Sequence, residues 1–171
     1  MEVKLDDKDG KLYSRLFVSS RDLGFAAYCV GFVLKKGWHY KPWEKRGSVY
    51  LQQSAFMSAL ATAYARPFTR SYGWPSFPEE LIRFSTEESE LHKRMIDQRN
   101  SIYAHSDSKC YSVKPWRAED FSTNIVGAPE LRISAEEAAL LREMICKLQA
   151  SIRNRMEELV PAAKALSLIH I

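Results

Sequence analysis

A short polar segment in the second half of the chain contains the residue types that acid–base chemistry requires. It runs over residues 97–107 and includes Arg99, Asn100 and His105, with five residues between the arginine and the histidine. Histidine exchanges protons near neutral pH, and arginine offers a fork of donors to a phosphate oxygen. On a straight α-helix the two side chains lie about 120° apart, on adjacent rows. The spacing therefore permits a shared site without requiring one.

A purely structural interpretation of these residues is also open. Arg99 could pair with Asp97 or another nearby acid, and His105 could cap the carbonyl groups at the end of its helix. Tyr103 is interpreted as a core or interface aromatic residue. His92, on the same helix, is interpreted as a surface histidine.

A second candidate region is the loop over residues 35–46, which carries five Lys or Arg, one acid and three aromatic residues. Cations neutralise phosphates and aromatic rings stack on unpaired bases, so this loop is a candidate RNA-binding surface. The candidate contacts are Lys35, Lys36, Trp38, Lys41, Lys45 and Arg46. The alternative is a solvated loop whose tryptophans anchor it to the protein. Arg66 and Arg70 are weaker candidates, and His39 and His170 have no evident partners.

Length and composition favour one ordinary globular domain. The chain has 171 residues, of which 46% are hydrophobic, 27% charged and 12% aromatic, which suits a normal core and argues against disorder. A net charge of +4 is only mildly basic, so composition permits an RNA partner without requiring one. Glycine-rich phosphate loops, H-E-x-x-H, G-x-S-x-G and EF-hand patterns are absent from the sequence. No metal site and no cofactor are therefore predicted.

The compartment is predicted from the N-terminus, the hydropathy and the cysteines. The first residues mix acids and lysines, which is not typical of a secretory leader. The longest uncharged run, residues 23–34, is shorter than the roughly 20 residues that span a bilayer, so a soluble protein without a membrane partner is expected. Cys29, Cys110 and Cys146 form no C-x-x-C pair, which argues against a disulfide framework or a zinc knuckle. A reducing cytoplasm fits this pattern.

The elements that must position these residues are mostly helices. A buried first helix is expected over residues 20–36, with Ser20 as its N-cap and Gly37 beyond its C-terminus. A second helix, with a face of small residues, is expected over residues 49–66 and ends before Pro67.

Two capping boxes mark the remaining long helices. Ser85 with Glu88 predicts a third helix over residues 86–104, which carries the Arg99 segment. Ser134 with Glu137 predicts a fourth helix, in which apolar residues recur at 3.6-residue spacing.

The region between residues 108 and 131 is irregular and predicts a long loop or a small β-hairpin. The expected fold is an all-α bundle of four to five helices with at most one such hairpin. The expected organisation is an N-terminal segment over residues 1–19, a single helical domain over 20–160 and a tail over 161–171 that could be frayed or non-native.

The arginine, the asparagine that follows it and the Ala–His pair, on the third long helix of an all-α chain, resemble the R-x4-6-H motif of the HEPN superfamily. Residues 58–70, SALATAYARPFTR, further resemble its AbiU2-like branch, named from an abortive-infection protein. The resemblance covers roughly residues 20–160, and its specific part is short.

The resemblance implies a helical bundle that dimerises with its motif helices facing each other. It also implies a metal-independent endoribonuclease, since many members act as such in phage-defence, toxin–antitoxin and RNA-processing systems. Carried onto this chain, it assigns Arg99 and His105 as the catalytic pair and Asn100 as the supporting polar residue. The alternative is a non-catalytic, HEPN-like dimeric module for binding or scaffolding.

The resemblance leaves room for an antitoxin or a regulatory protein as a partner. Asp107, however, stands two residues after the histidine, where HEPN toxins that are paired with a nucleotidyltransferase usually carry a tyrosine. That departure argues against an antitoxin of the nucleotidyltransferase kind.

Overall fold

The computed structural model describes residues 6–45, 47–103, 108–127, 129–130 and 132–160, with only the backbone of Tyr103. Over these residues the chain is mostly helical, with four α-helices and one two-stranded antiparallel sheet. The predicted helical bundle with a small hairpin is confirmed at this level. The predicted tail, residues 161–171, lies outside the described residues.

The first helix, α1, spans Asp7–Lys36 and is longer than the sequence predicts. Asp6 caps its N-terminus, because the Asp6 carboxylate accepts a hydrogen bond from the backbone N–H of Asp9 at 2.7 Å. Leu16 is fully buried in the core, so the residues before Ser20 are already part of the packed helix. The predicted start at Ser20 is wrong, and the predicted boundary after residue 19 falls inside α1.

The C-terminal end of α1 agrees with the prediction. Gly37 adopts a left-handed conformation with φ of 61°, and its backbone N–H bonds to the carbonyl groups of Leu34 and Val33. A side chain with a Cβ is strained at this φ, so glycine suits the position. Lys35 and Lys36 lie in the last turn, where cations stabilise the negative end of the helix dipole.

By length and composition α1 could also cross a bilayer, since it contains an 18-residue window with a mean hydropathy of 1.3. The count of uncharged residues in the sequence misses this property, because the window tolerates a few charges. The same helix buries Leu23, Ala26, Val30 and Val33 completely against the rest of the protein. Such burial is typical of the core helix of a bundle.

The core lies where α1 meets two further helices. The second helix, α2, spans Ser48–Ala65, and the fourth, α4, spans Ala135–Leu159; each packs along α1. The helix α2 is confirmed to within one residue of its predicted bounds, and α4 begins at its predicted capping box. The Ser134–Glu137 capping box is present. The apolar residues of α4 that recur at 3.6-residue spacing are buried, except Met156, which is partly buried. Large side chains of these helices that are almost inaccessible to solvent include Tyr64, Met57, Leu60, Leu141, Met144, Ile145, Leu148 and Ile152.

The third helix, α3, spans Thr86–Gln98 and begins with the predicted Ser85–Glu88 capping box. Glu88 is 4% exposed and pairs with Lys147 of α4, which fastens α3 to the core. The hydrogen bond from Lys147, the backbone bond from Ser85 and the positive charge of Lys147 together lower the pKa of the Glu88 carboxyl against the opposing effect of burial. The α-helical geometry ends six residues before the predicted end at residue 104, because a π-helical turn, Arg99–Tyr103, replaces it.

A β-hairpin follows, which is one of the two alternatives that the sequence leaves open for the region between residues 108 and 131. Strands β1, Ser112–Arg117, and β2, Ser122–Gly127, pair antiparallel with Val113 opposite Val126 and Trp116 opposite Thr123. Every residue of both strands is exposed. A hairpin of two strands is marginally stable by itself in water, and this one leaves large apolar side chains on its surface: Val113, Trp116, Phe121, Ile125 and Val126.

Candidate functional site

The predicted site begins at the junction between α3 and the π-helical turn. Arg99 is half-buried, and its Nη1 donates a hydrogen bond to the side-chain oxygen of the neighbouring Asn100 at 2.9 Å. Its Nε is buried without a hydrogen-bond partner. Among the described residues no carboxylate forms an ion pair with Arg99, so the alternative pairing with Asp97 is not formed. The charge of the Arg99 guanidinium is therefore held by an amide and not neutralised by an acid within that part of the chain.

His105 lies outside the described residues, as do Ala104 and Asp107. The π-helical turn nevertheless changes one prediction about the pair. The angle of about 120° between Arg99 and His105 assumes a straight α-helix, and a π-helical turn has a wider spacing of i to i+5. That angle therefore does not apply to these residues, and their shared site stays a prediction. Single π-helical turns inside helices occur frequently at functional sites.

The loop between α1 and α2, residues 37–47, is called here the Trp38 loop. Trp38 is 8% exposed and meets the rings of Phe32 and Phe56 edge-on, with centroids 5.5 and 5.6 Å apart. The backbone N–H and carbonyl of Tyr40 both bond to the side-chain amide of Gln53, at 2.9 and 2.8 Å. Trp38 thus anchors the loop, as the alternative interpretation of this segment predicts, and its ring is not open for stacking on a base.

The lysines predicted to bind RNA in this region lie over aromatic rings of the protein. Lys41 Nζ is 5.5 Å from the ring centre of Trp43, and Lys45 Nζ is 5.0 Å from that of Tyr40, both within cation–π range. Lys36 lies over Phe32 in the same way, and Lys35 is exposed. Arg46 is outside the described residues. Within the described part of the chain, no hydrogen bond, ion pair or ring contact joins this loop to Arg99 or Asn100.

Two histidines differ from their predicted environments. The ring Nδ1 of His39 lies 2.9 Å from the carbonyl oxygen of Ile133, so the expectation that His39 has no partner is wrong. His92 is half-buried, and its Nδ1 lies 2.9 Å from the hydroxyl of Tyr64 in a hydrogen bond. Its ring also meets the rings of Phe68 and Phe84, with centroids 4.6 and 5.2 Å away. The interpretation of His92 as a surface histidine is therefore also wrong.

The Tyr64–His92 pair stays uncharged near neutral pH. Burial lowers the pKa of His92. Burial, assisted by the negative charge of Glu88, raises the pKa of the Tyr64 hydroxyl far above its ordinary value. Both shifts have the same physical cause, since a low-dielectric environment disfavours the charged form of each group.

His92 lies in the wall of a cleft beside α3 with a volume of about 930 Å³. We call it the α3 cleft; it is lined by residues 68–77 together with Glu79, Ile82, His92 and Ile96. Ile96 of α3 lies three residues before Arg99, so the α3 end of the cleft wall is close in the chain to the predicted site. In the sequence, residues 71–78 are interpreted only as a helix break. The signal that was missed is that two aromatic residues, Tyr72 and Trp74, follow closely after Arg70 in the chain.

The outer wall of the cleft is residues 69–78, called here the Trp74 loop. A turn from Ser71 to Trp74 shapes its tip, closed by a bond from the Trp74 N–H to the Ser71 carbonyl at 3.4 Å. Gly73 has a φ of 78° at the third position of this turn, where glycine is favoured. Tyr72 is fully exposed and Trp74 is 39% exposed, so the Tyr72 ring is open to a ligand and the Trp74 ring is open in part.

A buried arginine holds the base of the Trp74 loop. Arg15 of α1 is 6% exposed, and its Nη2 donates to the carbonyl oxygens of Pro67, Thr69 and Arg66 at 2.7, 3.1 and 3.4 Å. Burial lowers the pKa of Arg15, and the charge of Asp22 opposes that effect. These hydrogen bonds fix the chain where it leaves α2, and no sequence motif predicts them.

The described residues contain no cluster of three or more His, Cys, Asp or Glu side chains that could hold a metal ion. In comparisons with known proteins, no family model matches the chain, and no curated protein and no solved structure matches it either. The HEPN resemblance therefore depends on the Arg99 segment and its helical setting.

Proposed function

We propose that this protein is a metal-independent endoribonuclease of the HEPN type. The observation that carries the proposal is the state of Arg99. Its half-buried guanidinium lies at a junction of α and π geometry, is oriented by the Asn100 amide, and has no carboxylate partner among the described residues. A positive charge that is positioned but not neutralised is suited to stabilise negative charge in a phosphate transition state.

The chemistry needs few protein groups, because RNA carries its own nucleophile. The ribose 2′-hydroxyl attacks the adjacent phosphorus and loses its proton to a base, and the 5′-oxygen leaves with a proton from an acid. His105 is assigned this acid–base role. Arg99 stabilises the charge on the pentacoordinate phosphorus. The products are a 2′,3′-cyclic phosphate and a 5′-hydroxyl end.

A homodimer through the Arg99 end of α3 is part of this proposal, since two motif segments would then line one cleft. Among the described residues, the large apolar side chains that face solvent include Phe17, Phe25 and Tyr28 of α1, and none belongs to α3. The proposed α3 contact is therefore polar. A spin label at Asp97→Cys, with Cys110 and Cys146 replaced by serine, should report a short distance between copies. A short distance only at Tyr28→Cys would move the interface to α1.

RNA cleavage tests the assignment directly. Purified protein is incubated with single-stranded RNA and tRNA in EDTA, and the ends of the products are identified. Arg99→Ala and His105→Ala should each lower the cleavage rate at least about 10²-fold. Arg142→Ala, an exposed arginine of α4, is the matched control and should cleave like the wild type. Full cleavage by both site variants, shown to be folded, would refute the proposal.

The second candidate is a binding or scaffolding module without turnover, and the exposed hairpin favours it. Val113, Trp116 and Ile125 are between 44% and 60% exposed on a two-stranded sheet, as is typical of an interaction surface. This function predicts that RNA stays intact in every condition above. It also predicts that a Val113→Ser and Ile125→Ser double variant loses a protein partner while Arg99→Ala keeps it.

The cellular role that we propose is that of a toxin or phage-defence effector under the control of an antitoxin or regulatory protein. Induction of the wild-type chain in a bacterial host should slow growth, whereas the Arg99→Ala chain at equal abundance should not. Equal toxicity of the two chains would show that the effect on growth does not depend on Arg99.

A further inference from the structure

We propose that the α3 cleft binds one nucleotide, with its base against Tyr72 and Trp74 and its phosphate at Arg70. The inference deepens the proposed function and rests on it for the source of the ligand, because a nucleotide bound here would belong to an RNA strand that continues towards Arg99. The ligand chemistry itself, a flat aromatic ring joined to an anion, follows from the residues that line the cleft.

The size and shape of the cleft suit a ligand of this class. Its volume of about 930 Å³ lies within the range of small-molecule sites, about 300–1,000 Å³. The inner wall is formed by α3 through His92 and Ile96, and the outer wall by the Trp74 loop. The cleft is open to solvent between these two walls.

The two aromatic side chains at the mouth differ in exposure, and each keeps part or all of its ring accessible to solvent. Tyr72 is fully exposed, and Trp74 is 39% exposed; neither ring makes a ring–ring or cation–π contact among the described residues. Exposed aromatic rings in a groove are the usual platforms for unpaired bases, since every base presents a flat face. The cleft therefore offers stacking that depends little on base identity.

The charged groups place the phosphate at one side. Arg70 is exposed and forms no ion pair within the described part of the chain, so its guanidinium is free to bind a phosphate oxygen. Glu79 also lines the cleft and repels a second phosphate there. Its carboxylate can instead accept a hydrogen bond from a ribose hydroxyl or a base N–H. One anion with several donors describes a nucleotide better than a polyphosphate.

The walls are held in place before any ligand arrives. Arg15 fixes the start of the Trp74 loop through three carbonyl oxygens. Phe77 is 7% exposed and packs edge-on against Phe68 with centroids 5.1 Å apart, which fixes the far end. A loop anchored at both ends loses little conformational entropy on binding, so its exposed rings are preorganised.

Binding is measured with two probes. The first is the set of four nucleoside monophosphates, followed by calorimetry. The second is a dye-labelled 2′-O-methyl RNA hexamer, followed by fluorescence anisotropy; it lacks the free 2′-hydroxyl and so is not cleaved by the proposed chemistry. Trp74→Ala, Tyr72→Ala and Arg70→Ala should each weaken binding of the hexamer at least tenfold. Arg70→Ala should also reduce the dependence of the affinity on salt.

Each variant has a control of the same residue type and similar exposure. Trp116→Ala on the hairpin, Tyr28→Ala on α1 and Arg142→Ala on α4 should change the affinity less than twofold. Monophosphates that show the same variant dependence identify a free nucleotide as a ligand, whereas binding of the hexamer alone identifies a unit of an RNA strand. Both results support the cleft.

The inference is overturned if the wild type binds neither probe, or if the three cleft variants bind as tightly as their controls. That failure is distinguishable from failure of the proposed ribonuclease. If cleavage depends on Arg99 and the cleft variants bind normally, nucleotide binding in the cleft is refuted and the proposed ribonuclease is not. If binding depends on Trp74 and the cleavage rate does not depend on Arg99, the proposed ribonuclease is refuted and nucleotide binding in the cleft is not.

Discussion

The Trp38 loop and the Trp74 loop are similar in composition and opposite in structure. Each comes after a long helix and combines aromatic residues with positive charge, which in the Trp74 loop is Arg70 alone. In the first loop Trp38 is buried, and the nearby lysines lie over rings of the protein. In the second loop Tyr72 and Trp74 stay exposed above a cleft, with Arg70 unpaired within the described part of the chain.

The difference shows what a basic and aromatic composition can and cannot indicate. An aromatic ring binds a ligand only where the fold leaves its face open, and a cation binds a phosphate best where no protein group already occupies it. The sequence ranks the Trp38 loop first because it has more charges. The structure favours the Trp74 loop because its rings and its arginine are free of such contacts.

The largest difference in stability between the two loops is expected for a pair of tryptophan variants. Trp38→Ala should lower the free energy of unfolding by about 3–5 kcal/mol, because it empties a buried aromatic site against Phe32 and Phe56. Trp74→Ala should lower it by about 1 kcal/mol or less, as is usual for a partly exposed side chain away from the core. Urea denaturation measures both. Equal losses would mean that the two tryptophans do not have different roles.

The next largest effect is expected at the anchor of the Trp74 loop. Arg15→Met should lower the free energy of unfolding by about 2–3 kcal/mol, because it leaves the carbonyl oxygens of Pro67 and Thr69 without their buried donor. The freed loop should also be cut faster by trypsin after Arg70. Arg21→Met, a change at an exposed arginine of the same helix, is the control for both measurements. Unchanged proteolysis after Arg70 would show that Arg15 does not hold the loop.

Loss of the anchor of the Trp38 loop should lower the free energy of unfolding somewhat less. Gln53→Ala should cost about 1–3 kcal/mol, because the backbone N–H and carbonyl of Tyr40 lose a buried partner. Hydrogen exchange at the Tyr40 amide should become faster by a measurable factor. Gln52→Ala, the exposed neighbour, should leave both quantities close to wild type. Protection of the Tyr40 amide in the Gln53→Ala variant would contradict the proposed anchor.

The smallest effect is a pH dependence at His92, beneath the Trp74 loop. Burial lowers the pKa of His92 in the folded state, so the unfolded chain takes up the proton first as the pH falls. The free energy of unfolding should therefore decrease as the pH drops below about 6.5. The slope for one group is at most about 1.4 kcal/mol per pH unit. Urea denaturation between pH 7.5 and 5.5 measures it.

His92→Asn should remove this slope and so provides its control. Tyr64 bonds to His92 and stays neutral throughout this range, since its pKa is raised by burial and by Glu88. Glu88 has a lowered pKa, so its stabilising effect is lost only at a lower pH. A slope that persists in His92→Asn would assign the pH dependence to another group.

Patterns that involve neighbouring residues were predictable. The capping pairs Ser85–Glu88 and Ser134–Glu137 act over three residues, and the helix end at Gly37 depends on local backbone geometry, so each is legible in the sequence. The start of α1 was missed because Asp6 is as good an N-cap as Ser20. Only the burial of Leu16 against other helices shows that the helix already includes the earlier residues.

The sequence by itself determined the four long helices, the capping pairs of two of them and the presence of Arg99 and Asn100 directly after α3. It left a hairpin and a long loop as alternatives for the region between residues 108 and 131. Tertiary structure alone decided which side chains are open to a ligand. Arg15 meets the carbonyl of Pro67 across 52 positions, and His92 meets Tyr64 across 28. The physical reason is that exposure and hydrogen bonding depend on packing between distant segments, whereas caps and periodicity depend on residues that are already neighbours in the chain.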